Sequence, residues 1–422
     1  MASIVKSNPM SRETIVLGAG MVGVSVAYHL AQRGRPVLLI DRRSPGQETS
    51  FGNAGIIQRE AIYPYPFPHE LKTLLRILPN RSIDIRYRPL DLVAAAGPLF
   101  SYWRHSFPGR YQKIVPEYAS LIALSTQEHG PMIEAAGAAH LIRKEGWLEL
   151  YRTAQALDTR DRKARIAAKD YGVLTERLDR WRLDQMQADL CSAVIGAIHW
   201  KNSWTVESPG DLVLAYAKAF ENQGGQWLRA ELRSVSPTAN GWCVTTAEGA
   251  HEVAEVVIAL GPWSARFIKT LGYNLPLFVK RGYHMHYAQP ETTKLRYWIM
   301  DAEKGYLLEP MKAGIRLTTG AELANLDAPP RYGQLDAAEK VARELYPMGE
   351  RLEALPWKGA RPCTPDMKPI IGPASKHPGL WFAFGHGHQG FTLGPATGRL
   401  LTEMMEGEPT TIDMTPFRVE RF

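Results

Sequence analysis

A strand–glycine turn–helix–strand unit over residues 14–41 opens the chain. A buried strand returns at 253–260, and strands and loops alternate over 276–320. Together these predict an α/β fold in which a Rossmann-like domain is interleaved with an α+β domain built on an antiparallel sheet. At 422 residues, 45% of them hydrophobic and 22% charged, the chain has the composition of an ordinary globular protein and length for two domains.

The first strand is Ile15, Val16 and Leu17, a short β-branched run of the kind buried on both faces of a parallel sheet. Gly18, Gly20 and Gly23 follow with the spacing G-x-G-x-x-G, and Met21 and Val22 open the helix behind them. Val22, Val26, Ala27, Leu30 and Ala31 share one helical face, which stops near Gly34. A second apolar strand, Val37 to Ile40, ends in Asp41, an acid at the distance expected of a ribose ligand. The first glycine permits a tight turn, the second a close backbone approach to a pyrophosphate, and the third close packing of helix on strand. The helix N-terminus supplies unpaired N–H groups and partial positive charge to the phosphates. A bound dinucleotide is therefore expected.

After the polar turn at Arg42 to Gly46 comes Thr49-Ser50-Phe51-Gly52-Asn53-Ala54-Gly55, where small residues let backbone lie against a flat ligand. Residues 61–115 are broken by prolines and rich in aromatics and arginines; a packed insertion is expected, with a lid, a partner surface or a membrane-surface element as alternatives. A helix is expected at 117–137, a strand at 146–151, charged helical segments at 153–190, and a helix after Ser208-Pro209 running to Asn222. Strands follow near 226–235 and 242–246. Val253 to Leu260 then returns the chain to the first sheet and ends in Gly261-Pro262-Trp263-Ser264. A helix is expected over 335–346.

Near the C-terminus the strand Leu380 to Phe384 leads into Gly385-His386-Gly387-His388-Gln389-Gly390-Phe391-Thr392-Leu393-Gly394-Pro395 and a helix to about Met405. A second nucleotide-binding unit would need a further strand and half-domain, and the chain has no room for them. The segment reads instead as a loop and helix N-terminus aimed at the first cofactor, with Pro395 near the first helical turn. N–H donors there would stabilise negative charge at the N1–C2=O edge of a reduced flavin.

The net charge of +7 could suit nucleic acid, but no basic block interleaved with aromatics accompanies it, so no nucleic-acid partner is expected. Three scattered cysteines, Cys191, Cys243 and Cys363, show neither metal-ligand spacing nor a disulfide framework. No metal is expected. The first strand begins too early for a preceding signal peptide, and no apolar run is long enough to span a bilayer. A cytoplasmic location is expected, with association at the cytoplasmic membrane face left open.

The N-terminal glycine motif, Ser50–Gly55, Ala259-Leu260-Gly261-Pro262-Trp263-Ser264, Arg281-Gly282-Tyr283-His284, Gly359-Ala360-Arg361-Pro362 and the Gly385–Pro395 segment together resemble the D-amino acid oxidase superfamily of FAD proteins. The similarity spans nearly the whole chain and is greatest to bacterial D-amino acid dehydrogenases, hydroxyproline dehydrogenases and glycine or sarcosine oxidases. The resemblance implies an FAD-binding domain over 11–62, 205–275 and 355–420, and a substrate domain over 63–204 and 276–354. It implies that Gly18, Gly20, Met21, Val22, Gly23, Asp41, Arg42, Ser50, Gly52, Asn53, Ala54, Gly55, Leu232, Gly261, Trp263, Gly359, Gly387, His388, Gln389, Gly390, Phe391 and Thr392 hold the cofactor. Arg361 matches the arginine that pairs with the substrate carboxylate; Tyr306 best matches the accompanying tyrosine, with Tyr283 second. His388 is a further candidate in the flavin loop. The family usually has glutamate where Asp41 stands. Cys363 is offset from the cysteine that tethers flavin in sarcosine oxidases, so noncovalent FAD is expected.

The implied reaction is hydride transfer from the Cα of a D-amino acid, or of a proline- or glycine-type substrate, to flavin N5. It gives an imino acid and then a keto acid, with oxygen or a quinone taking the electrons. The alternatives are a flavin subunit of a hetero-oligomeric amine, opine or glycine dehydrogenase, a flavoprotein acting on RNA, a nicotinamide dehydrogenase, and a noncatalytic flavin scaffold.

Overall fold

Val16 packs on one side of the opening strand, while Ile15 and Leu17 pack on the other. That alternation, with both sides dry, requires a sheet covered on both faces. A computed structural model describes residues 13–422. The start of the first domain at residue 11 and the N-terminal stretch before the first strand lie outside the described residues.

Thr14–Leu17 is central in a six-stranded sheet, between Val37–Asp41 and Glu255–Ile258. Gln226–Arg229 adds beyond Val37–Asp41, and Leu380–Phe384 beyond Glu255–Ile258, all parallel. Ile370–Pro373 closes the edge antiparallel to Leu380–Phe384. Helices Met21–Gln32, Pro209–Asn222 and Gly390–Glu406 cover one face. A three-stranded meander, Leu232–Thr238, Gly241–Thr246 and Ala250–Val253, covers the other with Trp242 and Val244.

The second body is a ten-stranded mixed sheet. Its long strand Phe278–Tyr287 pairs antiparallel with Gly314–Thr318, Ala321–Leu323 and Trp357–Cys363. Trp357–Cys363, within the stretch expected in the first domain, pairs here, and the chain rejoins the first sheet at Ile370. A short antiparallel sheet of Ile56–Ile57, Trp204–Val206 and Ile142–Arg143 links the two bodies.

Three local expectations are corrected. The segment 117–137 is two helices, Pro108–Ala123 and Ser125–Ala135, with Pro116 and Pro131 inside them rather than at breaks. The charged segment 153–190 contains a strand, Thr175–Asp179, whose pairing with Gly196–Trp200 no local pattern encodes. Pro395 is the sixth residue of its helix, beyond the first turn. No helix among the described residues is long and apolar enough to cross a membrane.

Candidate active site

Where the two sheets meet, a cavity of about 1540 Å³ runs from the opening glycine turn to the loop after Phe384. At its first end Gly18 has φ +106°, and a Cβ there would stand 2.4 Å from the Ala259 carbonyl oxygen. Gly23 lets the helix sit on the turn, since a Cβ would lie 1.8 Å from the Gly18 carbonyl. The turn is braced from outside. The Ala19 N–H donates to Asp41 Oδ2 at 2.7 Å and the Met21 N–H to Ser50 Oγ at 3.0 Å. Asp41 also accepts from the Arg43 N–H at 3.0 Å. Burial raises the Asp41 pKa, and these two N–H donors oppose the shift. The Arg42 guanidinium lies 4.5 Å from the centre of the Trp263 ring and bonds Glu48 at 2.8 Å.

Of the cofactor residues expected from the sequence, Gly18, Gly20, Met21, Val22, Asp41, Arg42, Ser50, Gly52, Asn53, Ala54, Leu232, Gly261, Trp263, Gly359, Gly387, His388, Gly390 and Phe391 line this cavity. Gly23, Gly55, Gln389 and Thr392 stand behind its wall. Gly55 is held against the Val206 carbonyl, Gln389 Nε2 donates to Gln58 Oε1 at 2.6 Å, and Thr392 Oγ1 donates to the Ile56 carbonyl at 3.3 Å. Gly52 and Gly359 have a further reason to lack a side chain: the Trp357 indole fills that space, 2.0 and 2.1 Å from where their Cβ atoms would be.

At the other end, the ladder of Phe278–Tyr287 with Trp357–Cys363 presents Phe278, Lys280, Gly282, Gly359, Arg361 and Cys363 to the cavity. Arg361 lies in the space Gly282 leaves, where a Cβ would be 2.5 Å from Nη2. Its Nη1 donates to the Gly320 carbonyl at 3.0 Å. No acid among the described residues pairs with it, and burial lowers its pKa. The Gly387 N–H donates to the Pro362 carbonyl at 2.7 Å, fixing the loop beside this strand. His388 packs edge-on to Tyr65, ring centres 4.8 Å apart. Burial, with Arg361 and Lys280 nearby, lowers its pKa to about 3, so it is neutral near pH 7. His386 is structural, its Nε2 2.9 Å from Thr397 Oγ1.

Neither candidate tyrosine offers its hydroxyl to the cavity. Tyr306 is fully buried and donates to Asp301 Oδ2 at 3.1 Å, in a cluster with Arg152; its neighbour Leu307 faces the cavity instead. Tyr283 borders the cavity but donates to Glu322 Oε2 at 2.5 Å, and burial, with this bond, pushes its pKa up to about 12. The other phenols that line the chamber are Tyr65, Tyr87, Tyr102 and Tyr118, the first three from the proline-broken 61–115 stretch, which forms a cavity wall; the Tyr87 hydroxyl donates to the Leu78 carbonyl at 2.6 Å. Sequence reading passed over Lys280, although alternation from Gly282 places it on the same face of the strand.

The cavity fits an extended dinucleotide with a flat ring system. Gly261, at φ +53°, has no atom within 4 Å of a Cβ position, and at Gly387 the nearest is Cys363 Sγ at 3.9 Å, so backbone is open to a ligand at both ends. The N-terminus of Gly390–Glu406 points its first-turn N–H groups at the same space.

The chain is 29% identical to a D-amino-acid oxidase of Bradyrhizobium diazoefficiens, over 98% of this chain and 100% of that one. It is also 29% identical to a D-amino acid dehydrogenase of Rhizobium rhizogenes, over 96% and 99%. Its fold is that of the crystal structure of glycine oxidase from Geobacillus kaustophilus, with a TM-score of 0.73 at 22% identity, covering 98% of this chain and 100% of that one. The family model DAO, FAD dependent oxidoreductase, matches residues 13–404. With the cavity and glycine turn it accounts for, that match makes the chain a member of the FAD-dependent oxidoreductase family.

Proposed function

We propose that this protein oxidises an amino acid at Cα, with Arg361 holding the substrate carboxylate. The observation that carries the reading is a guanidinium with no acid partner, set in the cavity beside the loop expected to meet the flavin ring. A guanidinium fork matches a carboxylate bidentately and fixes its plane. FAD, when bound, supplies the acceptor for the two electrons. The chain's residues supply position: Arg361 anchors one end of the substrate, and Tyr65 is the phenol best placed to add a hydroxyl to the same carboxylate. Orienting Cα–H in this way is where most of the rate gain arises. First-turn N–H groups at Gly390, which lines the cavity, would stabilise negative charge on a flavin held there. Cys363, kept a thiol because burial raises its pKa, is a poor nucleophile, which supports noncovalent FAD.

The test is anaerobic bleaching of the bound flavin by D- and L-amino acids, glycine, sarcosine and proline, in the native protein and in Arg361→Ala. We expect bleaching by at least one substrate class. In the variant, kcat/KM falls by roughly 10³ or more with FAD content unchanged. Near-normal kcat/KM in Arg361→Ala would remove the assignment.

A further inference from the structure

Lys280 stands directly across the antiparallel ladder from Arg361, and both line the cavity. Opposed residues on such a ladder project from the same face, so the strand pair delivers two cations to one chamber. The two diverge. Arg361 lies over Gly282 and bonds the Gly320 carbonyl, whereas the Lys280 ammonium donates to Tyr102 Oη at 3.0 Å and lies 4.4 Å from that ring's centre. Neither has a carboxylate partner among the described residues. Of the acids in the cavity wall, Asp84 is engaged with Arg76, Glu48 with Arg42 and Asp41 with backbone N–H groups, while Glu231 follows Ala230, whose N–H bonds the Asp41 carbonyl at the glycine-turn end.

A single α-carboxylate answers one of these charges. An ammonium has three donors, and Tyr102 takes one. Leaving a cation in an aromatic-walled site without an anion is costly, and an incoming anion relieves that cost. We infer that the substrate is an acidic amino acid whose side-chain carboxylate is received by Lys280, held in place by Tyr102, whose own hydroxyl donates to the Tyr65 carbonyl at 2.5 Å, while Arg361 holds the α-carboxylate. Lys280 is then a specificity-determining residue, and the inference rests on the amino-acid reading of the site.

The test compares glutamate with glutamine and aspartate with asparagine, in both stereoisomers, as anaerobic reductants of the FAD-loaded protein. Each pair keeps its shape and differs in charge. For the preferred stereoisomer, the acid should reduce the flavin at least about tenfold faster than its amide, and Lys280→Met should abolish the preference, costing the acid about 10- to 100-fold. Equal losses for acids and amides assign Lys280 a general role at the flavin and overturn the inference. A native protein that prefers neutral amino acids overturns it as well, leaving the proposed reaction intact. If no amino acid of any charge bleaches the flavin, the reaction itself falls and the inference with it. A binding readout needs neither turnover nor a folded variant. Titrated calorimetrically into the native holoprotein, succinate or glutarate should bind at least about tenfold tighter than propionate or butyrate. Equal affinities overturn the inference.

Discussion

The hydroxyls of Tyr65 and Tyr306 differ in what surrounds them more than in chemistry. Tyr306 is spent on Asp301, which also bonds Arg152 at 2.7 Å. Tyr65 is 58% exposed because its surroundings are the cavity, with His388 against its ring. Tyr306→Phe therefore removes a structural bond: we expect a stability loss of about 1 kcal/mol by thermal melt and unchanged KM. Tyr65→Phe should do the reverse, raising KM roughly tenfold with an unchanged melting temperature. If Tyr306→Phe instead raises KM and leaves stability alone, the placement of its hydroxyl is refuted. The resemblance favoured Tyr306 because a motif match carries no sidedness. On a strand of period two, one residue separates the core face from the cavity face, and Leu307 holds the cavity face here. Arg361 was legible because its motif and its strand face agree. Lys280 was not, because a lone lysine in a strand has the same local pattern whether it meets water or a chamber.

Helix Gly390–Glu406 points its N-terminus into the cavity only because its flank lies flat on helix Met21–Gln32. Gly394 and Gly398 make that approach possible: a Cβ would stand 2.5 Å from Met21 Cγ at the first and 2.6 Å from the Ser25 carbonyl at the second. Gly398→Val forces the two helices apart along their length. We expect a loss of about 1–3 kcal/mol, read as a lower melting temperature, together with faster release of FAD, because the tilted N-terminus no longer meets the ring. Destabilisation with FAD retention unchanged would show that the helix end is not coupled to this packing. The element itself was plain in the sequence, as were the opening strand–helix–strand unit and the helix after Ser208. Local signals of that kind sit within a few residues of what they specify. Thr175–Asp179 was missed because its charged pattern reads as helix and only its pairing with Gly196–Trp200, across one short helix, makes it a strand, and the sheet that holds Trp357–Cys363 depends on a partner far away in the chain, Phe278–Tyr287.

Across the whole molecule, burying imidazole sets how stability follows pH. Burial is the leading cause lowering seven histidines: His29 and His129 to about 4, His386 and His388 to about 3, His284 to about 2, and His199 and His286 below the ordinary value. His129 shows why the neutral ring is kept, bridging Tyr216 Oη at 2.9 Å and the Phe391 carbonyl at 3.0 Å beneath the flavin-loop helix. In the unfolded chain such groups take up a proton near pH 6.5, while the folded protein holds them neutral to far lower pH. The unfolded state thus binds more protons below that point, and stability falls as pH drops from about 6.5 toward 4. Glu309 acts in the opposite direction, since burial raises its pKa to about 8 and its contribution is lost as pH rises from the unfolded value toward that figure. Burial raises Asp41, Glu60 and Glu128 in the same sense, and these four carboxyls against seven imidazoles leave the histidine term dominant on the acid side, with a stability maximum close to neutrality. Between pH 6.5 and 5, where most carboxylates are still ionised, the melting temperature should fall by several degrees, with several protons taken up per molecule on unfolding in calorimetry across buffers of different ionisation enthalpy. A melting temperature that stays level over that interval would mean these rings are solvated or already charged in the folded protein. In that case the loop carrying His386 and His388 does not pack against the cavity as the structure has it.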